Sequence, residues 1–163
     1  MRVRPAGEPD LAGLAALYDR EVREGVATFD VEARPMAVWR ERLASVGPGD
    51  HHLVAEADDT TLLGYASSTP YRPKAGYRHT RETGVYVAPG AQGRGVGRAL
   101  YVDLLARLDA DGIHLALAAI ALPNPASRAL HRTTGFEPVG VMREVGRKFD
   151  RWLDVEWWQR RVR

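Results

Sequence analysis

Two side chains in this sequence have the chemistry to move a proton and a setting that could use it. Glu82 stands in RETGVYVA, two residues before Gly84. In an extended segment Glu82, Gly84 and Tyr86 turn to one face. A carboxylate on such a face can serve as a general base. It can equally be a surface charge paired with Arg78 or Arg81. His131 falls in PNPASRALHRTTGF, where Ser127 and His131 lie one helical turn apart and Asn124 just precedes them. An imidazole can take or give a proton near neutral pH, although a lone helix histidine is more commonly a solvated one. His51, His52, His79 and His114 recur in no helical or alternating pattern. We read them as structural, with no metal site among them.

The stretch PGAQGRGVGRALY, residues 89–101, offers a different chemistry. Gly90, Gly93, Gly95 and Gly97 punctuate it just before a helical pattern begins. A strand, then glycines, then a helix is an anion-binding order. The first N–H groups of a helix lack intrahelical partners, and the helix dipole favours negative charge there. Glycine lets the backbone approach closely and adopt positive φ. Arg94 and Arg98 can add charge-assisted hydrogen bonds. A P-loop would close on Gly-Lys-Ser/Thr, but Arg98 and Ala99 follow Gly97. A dinucleotide fingerprint would read G-x-G-x-x-G after the first strand, whereas Gly93, Gly95 and Gly97 alternate deep in the chain. Besides another phosphate ligand, a tight turn with no ligand remains open.

These residues need elements to hold them. RVRPA reads as a first strand. Asp10 can cap a helix carrying Leu11, Leu14, Ala15, Tyr18 and Val22 on one side, closed by Gly25. Pro35 opens a second helix, with Met36, Trp39 and Leu43 on one face. HLVAEA and LLGYASS flank the turn DDTT as a hairpin within 51–70. RETGVYVA is a strand and YRPKAGYRHT the loop before it. A helix over 96–110 follows the glycines and ends at Gly112. IHLALAAIAL is apolar almost throughout, the pattern of a strand buried on both faces. Pro125 and Gly135 bracket a last helix, and VGVMREVG and WLDVEWWQ read as two final strands. The order is β-αα-βββ-α-β-α-ββ, an α/β mixture of α+β type with a meander in its middle.

The 163 residues suit a single domain spanning 1–163. No cysteine is present, which excludes thiol catalysis, thiolate metal sites and disulfides. A formal net charge of +2 is too small to argue for nucleic acid. No apolar run approaches the roughly 18 residues of a membrane span, and MRVRPAGEPD has no signal-peptide core. We read a cytoplasmic protein that binds neither nucleic acid nor membrane.

The order Gln92-x-x-Gly95-x-Gly97 resembles the acetyl-coenzyme A pyrophosphate motif of the GNAT superfamily of N-acetyltransferases. GVATFD, PYRPKAGY, ETGVYV, LPNPASRALHRTTGFEPVG and VGRKFDRWLDVEWWQ further resemble successive blocks of its phosphinothricin and methionine sulfone acetyltransferase branch. The likeness covers nearly the whole chain. It implies the GNAT fold: a mixed, mostly antiparallel sheet of about seven strands flanked by about four helices, with a cleft at a splayed strand pair. It implies acetyl-CoA as the acetyl donor and cosubstrate, with no metal, and a homodimer. By this resemblance Val85, Tyr86 and Val87 lie along the pantetheine arm. Gln92, Gly93, Arg94, Gly95, Val96, Gly97 and Arg98 cradle the pyrophosphate, and Asn124 and Ser127 meet the arm from the other side. Glu82 becomes the general base. His131 stands where most of the superfamily has a general-acid tyrosine, as a base relay or an acid.

The implied acceptor is the α-amine of phosphinothricin, methionine sulfoximine or methionine sulfone. Arg72, Pro73 and Lys74 lie in the branch's substrate loop, and Arg72 could hold a carboxylate bidentately. Phe29 would wall the pocket or simply pack in the core. Thr83 and Gly84 would offer backbone contacts beside Glu82. Gly84 stands where the branch usually has a small polar residue, and it is a position suited to a bulge or kink. Another small amine or a protein N-terminus is the alternative acceptor, and a non-catalytic coenzyme-binding module a third reading. Arg72, Lys74 and Arg78 argue against a polycation, which would call for an acidic mouth.

Overall fold

The computed structural model describes residues 1–162. Strands form where β-branched and apolar residues alternate or run together. They are β1 Arg2–Pro5, β2 His51–Glu56, β3 Leu62–Pro70, β4 Thr80–Val87, β5 Leu115–Ala121, β6 Glu137–Lys148 and β7 Arg151–Arg161. Together they make a seven-stranded sheet in the order β1-β2-β3-β4-β5-β7-β6. Every pairing is antiparallel except that of β4 with β5. The helices are α1 Leu11–Glu24, α2 Met36–Ala44, α3 Val96–Ala110 and α4 Pro125–Thr133. The expected element order is the observed one, with short 3-10 turns added at Glu8–Asp10, Ala75–Tyr77 and Pro89–Ala91.

Apolar spacing decides which helix covers which face. α1 buries Leu11, Leu14, Ala15, Tyr18 and Val22, the stripe read from the sequence. With Trp39 of α2 it covers Val54 of β2 and Tyr65 of β3. Tyr18 meets Trp39 and Tyr86 edge-on at 5.5 and 5.4 Å, and Tyr65 stacks on Tyr86 at 5.1 Å. On the other face α3 buries Leu100, Tyr101, Leu104 and Leu108 in a core that also takes in Phe136 and Trp158. Of the tryptophans in the last strand, Trp158 is core, Trp157 half-buried and Trp152 exposed.

Asp10 does not cap α1. Its carboxylate accepts from the Gly7 N–H at 2.7 Å and pairs with Arg4 at 2.7 Å, closing the 3-10 turn that leads into the helix. Nor is there a bulge at Gly84: the β3–β4 register runs unbroken from Gly64↔Val87 to Pro70↔Arg81. What breaks is the neighbouring ladder. β4 and β5 pair only at Thr80↔Leu115, Arg81↔Ala116 and Glu82↔Leu117. Thr83 marks the end of the pairing by donating its hydroxyl to the Leu117 carbonyl at 2.9 Å. Beyond it β4 stays on β3, β5 stays on β7 through Ala121↔Val155, and the two strands diverge. β5 is therefore not buried on both faces. Ala119 is exposed because it borders the opening.

β6 and β7 form a hairpin whose turn residues Phe149 and Asp150 both have positive φ, 51° and 57°, as a type I′ turn demands. β6 is one of the two edge strands of the sheet, β1 being the other.

Candidate active site

The divergence of β4 from β5 opens a cavity of about 510 Å³. Its floor is the β4 segment Thr83–Val87, whose β5-facing backbone edge has no ladder partner. One end is the start of α3. Gly93 and Gly95 have φ of 71° and 81°, and Gly95 is the residue before the helix. A Cβ at either would meet nothing within 4 Å, so their requirement is backbone conformation rather than space. The turn aims the unpaired N–H groups of the first turn of α3 at the cavity. Gln92, Gly93, Gly95, Val96, Gly97 and Arg98 all line it. Arg94 does not, and its guanidinium instead donates to the Gly90 carbonyl at 3.4 Å. The far wall is α4. There Asn124 and Ser127 line the cavity, and the Asn124 Oδ1 also caps the helix by accepting from the Ser127 N–H at 2.9 Å.

His131 closes this wall and is 3% exposed. Its Nδ1 lies 2.7 Å from the Ser127 carbonyl. A carbonyl only accepts, so Nδ1 carries a proton. Nε2 lies 2.9 Å from the hydroxyl of Tyr101, a buried α3 residue for which the sequence analysis offers no role. Burial pulls the imidazole pKa below its usual value, against a raising hydrogen bond to Ser127. The histidine is therefore neutral near pH 7, and Nε2 accepts from the Tyr101 O–H.

A second cavity, of about 280 Å³, meets the first. Thr83, Gly84, Tyr86, Ala119 and Ala121 belong to both. Strand alternation makes its floor from Tyr65, Ser67 and Thr69 of β3 and Glu82, Gly84 and Tyr86 of β4. Its other walls are the connector residues Ala27–Asp30, with Phe29 among them, and Arg34 and Arg42. Arg72, Pro73 and Lys74 are exposed and line neither cavity, with the Arg72 guanidinium 5.0 Å over the Tyr71 ring.

Glu82 is half-buried in this floor, and its carboxylate has no hydrogen-bond or ion-pair partner among the described residues. The surface pairings open to it in the sequence are not formed. Arg81 points away into an ion pair with Asp50 at 3.1 Å, its side chain only 8% exposed. Burial raises the Glu82 pKa, and the charges of Arg72 and then Arg42 partly offset that.

The connector is held from two sides. The Tyr18 O–H donates to Asp30 at 2.7 Å, and its oxygen lies 2.6 Å from the Thr28 hydroxyl. Arg34 pairs with Asp30 at 2.8 Å and lies 4.0 Å over the Tyr18 ring. From below, the buried Lys148 ammonium donates to the Glu21 and Thr28 carbonyls, both at 2.9 Å. Phe29 packs directly on Gly146, where a Cβ would overlap its ring.

The arrangement is two compartments that share one strand, with an unpaired carboxylate at their junction. A family model described as the acetyltransferase (GNAT) family matches residues 14–136. The chain belongs to the GNAT acetyltransferase family. The expected fold is the one found. A phosphinothricin N-acetyltransferase of Streptomyces coelicolor is 47% identical over 98% of this chain and 95% of its own length. An L-methionine sulfoximine/L-methionine sulfone acetyltransferase of Pseudomonas paraeruginosa is 39% identical over 96% of this chain and 92% of its own. The crystal structure of a GNAT superfamily phosphinothricin acetyltransferase from Sinorhizobium meliloti, in complex with acetyl-CoA, superposes with a TM-score of 0.93. It is 35% identical, covering 98% of this chain and 87% of that one.

Proposed function

We propose that this enzyme transfers the acetyl group of acetyl-CoA to the α-amine of a small amino-acid analogue of the phosphinothricin, methionine sulfoximine or methionine sulfone type. The observation that carries the reading is Glu82: unpaired, half-buried, and standing where the two cavities join. The larger cavity suits the coenzyme, with pyrophosphate at the α3 start and the arm along the free edge of β4. The smaller one takes the amino acid. The chemistry of the similar proteins supports donor and acceptor alike.

The amine arrives protonated. Glu82 accepts one proton and passes it to solvent, freeing the nitrogen lone pair to attack the thioester carbonyl. The C–N bond forms and the tetrahedral carbon then expels the coenzyme thiolate. Of the two protons still on that nitrogen, one leaves to the thiolate and the other stays as the amide N–H; the conjugate thiol has a pKa near 8.5 and demands no strong acid. His131, neutral with its Nε2 accepting from Tyr101, has no proton to give from Nε2, so we assign it the relay side rather than the acid role, reached only through the Tyr101 hydroxyl that lines the larger cavity. We further propose a homodimer, supported by apolar side chains left exposed along the β6 edge.

A thiol-release assay with phosphinothricin, methionine sulfoximine, methionine sulfone and spermidine tests the reading. The first three should turn over and spermidine should not. Glu82→Gln should lower kcat about 10²- to 10⁴-fold while leaving acetyl-CoA binding unchanged. Wild-type turnover by that variant would refute the base assignment.

A further inference from the structure

The smaller cavity contains a second charge without a counter-charge. Arg34 is committed to Asp30 and Tyr18. Arg42, on the last turn of α2, lines the same cavity and is half-buried. Its guanidinium has no hydrogen-bond acceptor and no ion-pair partner among the described residues. A guanidinium carries five donors in a rigid fork. Half out of water and engaged by no protein acceptor, this fork is free to take a ligand's oxyanion. Burial, and then the neighbouring Arg34, push its pKa down, and Asp30, itself paired with Arg34, offsets this only in part.

With Arg34 and Asp30 cancelling, the cavity is left with Arg42 and Glu82. These are opposite charges, both unpaired, and near enough that Arg42 acts on the Glu82 carboxyl. Such a cavity is complementary to a zwitterion. Arg72, the other cation that acts on Glu82, stands outside the cavity wall.

We propose that Arg42 is the oxyanion receptor of the acceptor site, binding a carboxylate or phosphinate of the substrate through its guanidinium fork while Glu82 takes the amine. This rests on the acceptor cavity assigned above. It makes Arg42 a specificity-determining residue: it discriminates acceptors by their anionic groups and takes no part in proton transfer.

The oxyanion can come from the α-carboxylate or from the far end of the side chain, and three acceptors separate the sources. Phosphinothricin carries both anions. Methionine sulfone keeps the carboxylate but ends in a neutral sulfone. The decarboxylated amine of methionine sulfone carries neither. Steady-state kinetics of Arg42→Gln against wild type should show a loss of about 10- to 100-fold in kcat/KM, mostly in KM, on acceptors that carry the bound anion. Loss on phosphinothricin alone assigns the phosphinate. Equal loss on both amino acids, with the decarboxylated amine untouched, assigns the carboxylate. Equal loss on all three, or none on any, overturns the proposal. Arg42→Lys should restore part of the loss, and it replaces the glutamine variant if that one does not fold. Calorimetric titration of wild type and variant with phosphinothricin reads the same contact without turnover. Weaker binding to the variant supports the receptor even if Glu82→Gln were to keep full activity, and unchanged binding overturns it.

Discussion

Among the described carboxylates with a shifted pKa, Glu82 is the one whose pKa is raised. Asp10, Asp30 and Asp154 are all held below their usual pKa by hydrogen bonds and cations. Glu82 goes the other way, because burial penalises its charge and nothing donates to it. A base must be deprotonated to work, so activity rises with pH as Glu82 loses its proton. The acid limb of kcat/KM should therefore lie above the pH at which an exposed glutamate titrates. Arg72 is the larger of the two offsets. Arg72→Gln should move that limb further up in pH, and a limb that stays in place would disconnect Arg72 from Glu82. Glu82 was visible in the sequence as one reading among two, since a strand face does not say whether an arginine neighbour folds back over it. Arg34, Arg42 and Tyr101 were not visible. Tyr18 falls on the apolar stripe read for α1, Tyr101 falls on no pattern singled out, and both are buried. Only the depth of their hydroxyls in the fold turns them into site residues.

The substrate side of the site is built by a connector with no regular structure, Val26–Asp30, and strand β6 carries it. Lys148 gives Thr28 one of its two buried hydrogen bonds, and Gly146 gives Phe29 a flat place to lie. Gly146→Ala would drive its methyl into the ring, at a cost of about 1–3 kcal/mol if the ring stays. If the ring swings away, the wall of the acceptor cavity goes with it. KM for the amino acid should rise while KM for acetyl-CoA holds, because Phe29 lines only the smaller cavity. Kinetics with each substrate varied in turn would show this, and equal effects on both would argue against it. The strands and helices themselves were largely legible, because periodicity reports burial and burial built them. The helix over 96–110 falls where its pattern put it. A splayed strand pair was expected from the family resemblance alone; that it is the β4–β5 ladder ending after Glu82 was not legible in the residues. Pairing is a property of two strands, and the sequence of either alone reads as continuous.

In the molecule as a whole, β6 is both the support of the connector and an edge strand of the sheet. Val139, Val141, Met142 and Val145 stand exposed along it. Such an edge invites pairing with another strand. Wild type should sediment as a dimer at micromolar concentration, and Val139→Lys with Val145→Lys should sediment as a monomer. A wild-type monomer at every concentration would end the proposal. Because β6 also anchors Phe29, a second copy covering it would brace the acceptor cavity from behind.

The free edge of β4 has one more consequence. Backbone groups hold whatever lies in the cleft, and they are the same for every side chain except proline. The side chains of that strand alternate: Val85 and Val87 pack into the α3 core, while Glu82, Gly84 and Tyr86 look into the acceptor cavity. On the function proposed above, donor recognition and acceptor recognition are written on a single strand in two independent alphabets. Descendants of this enzyme could exchange one acceptor for another by changing every second residue, and never lose their grip on the coenzyme.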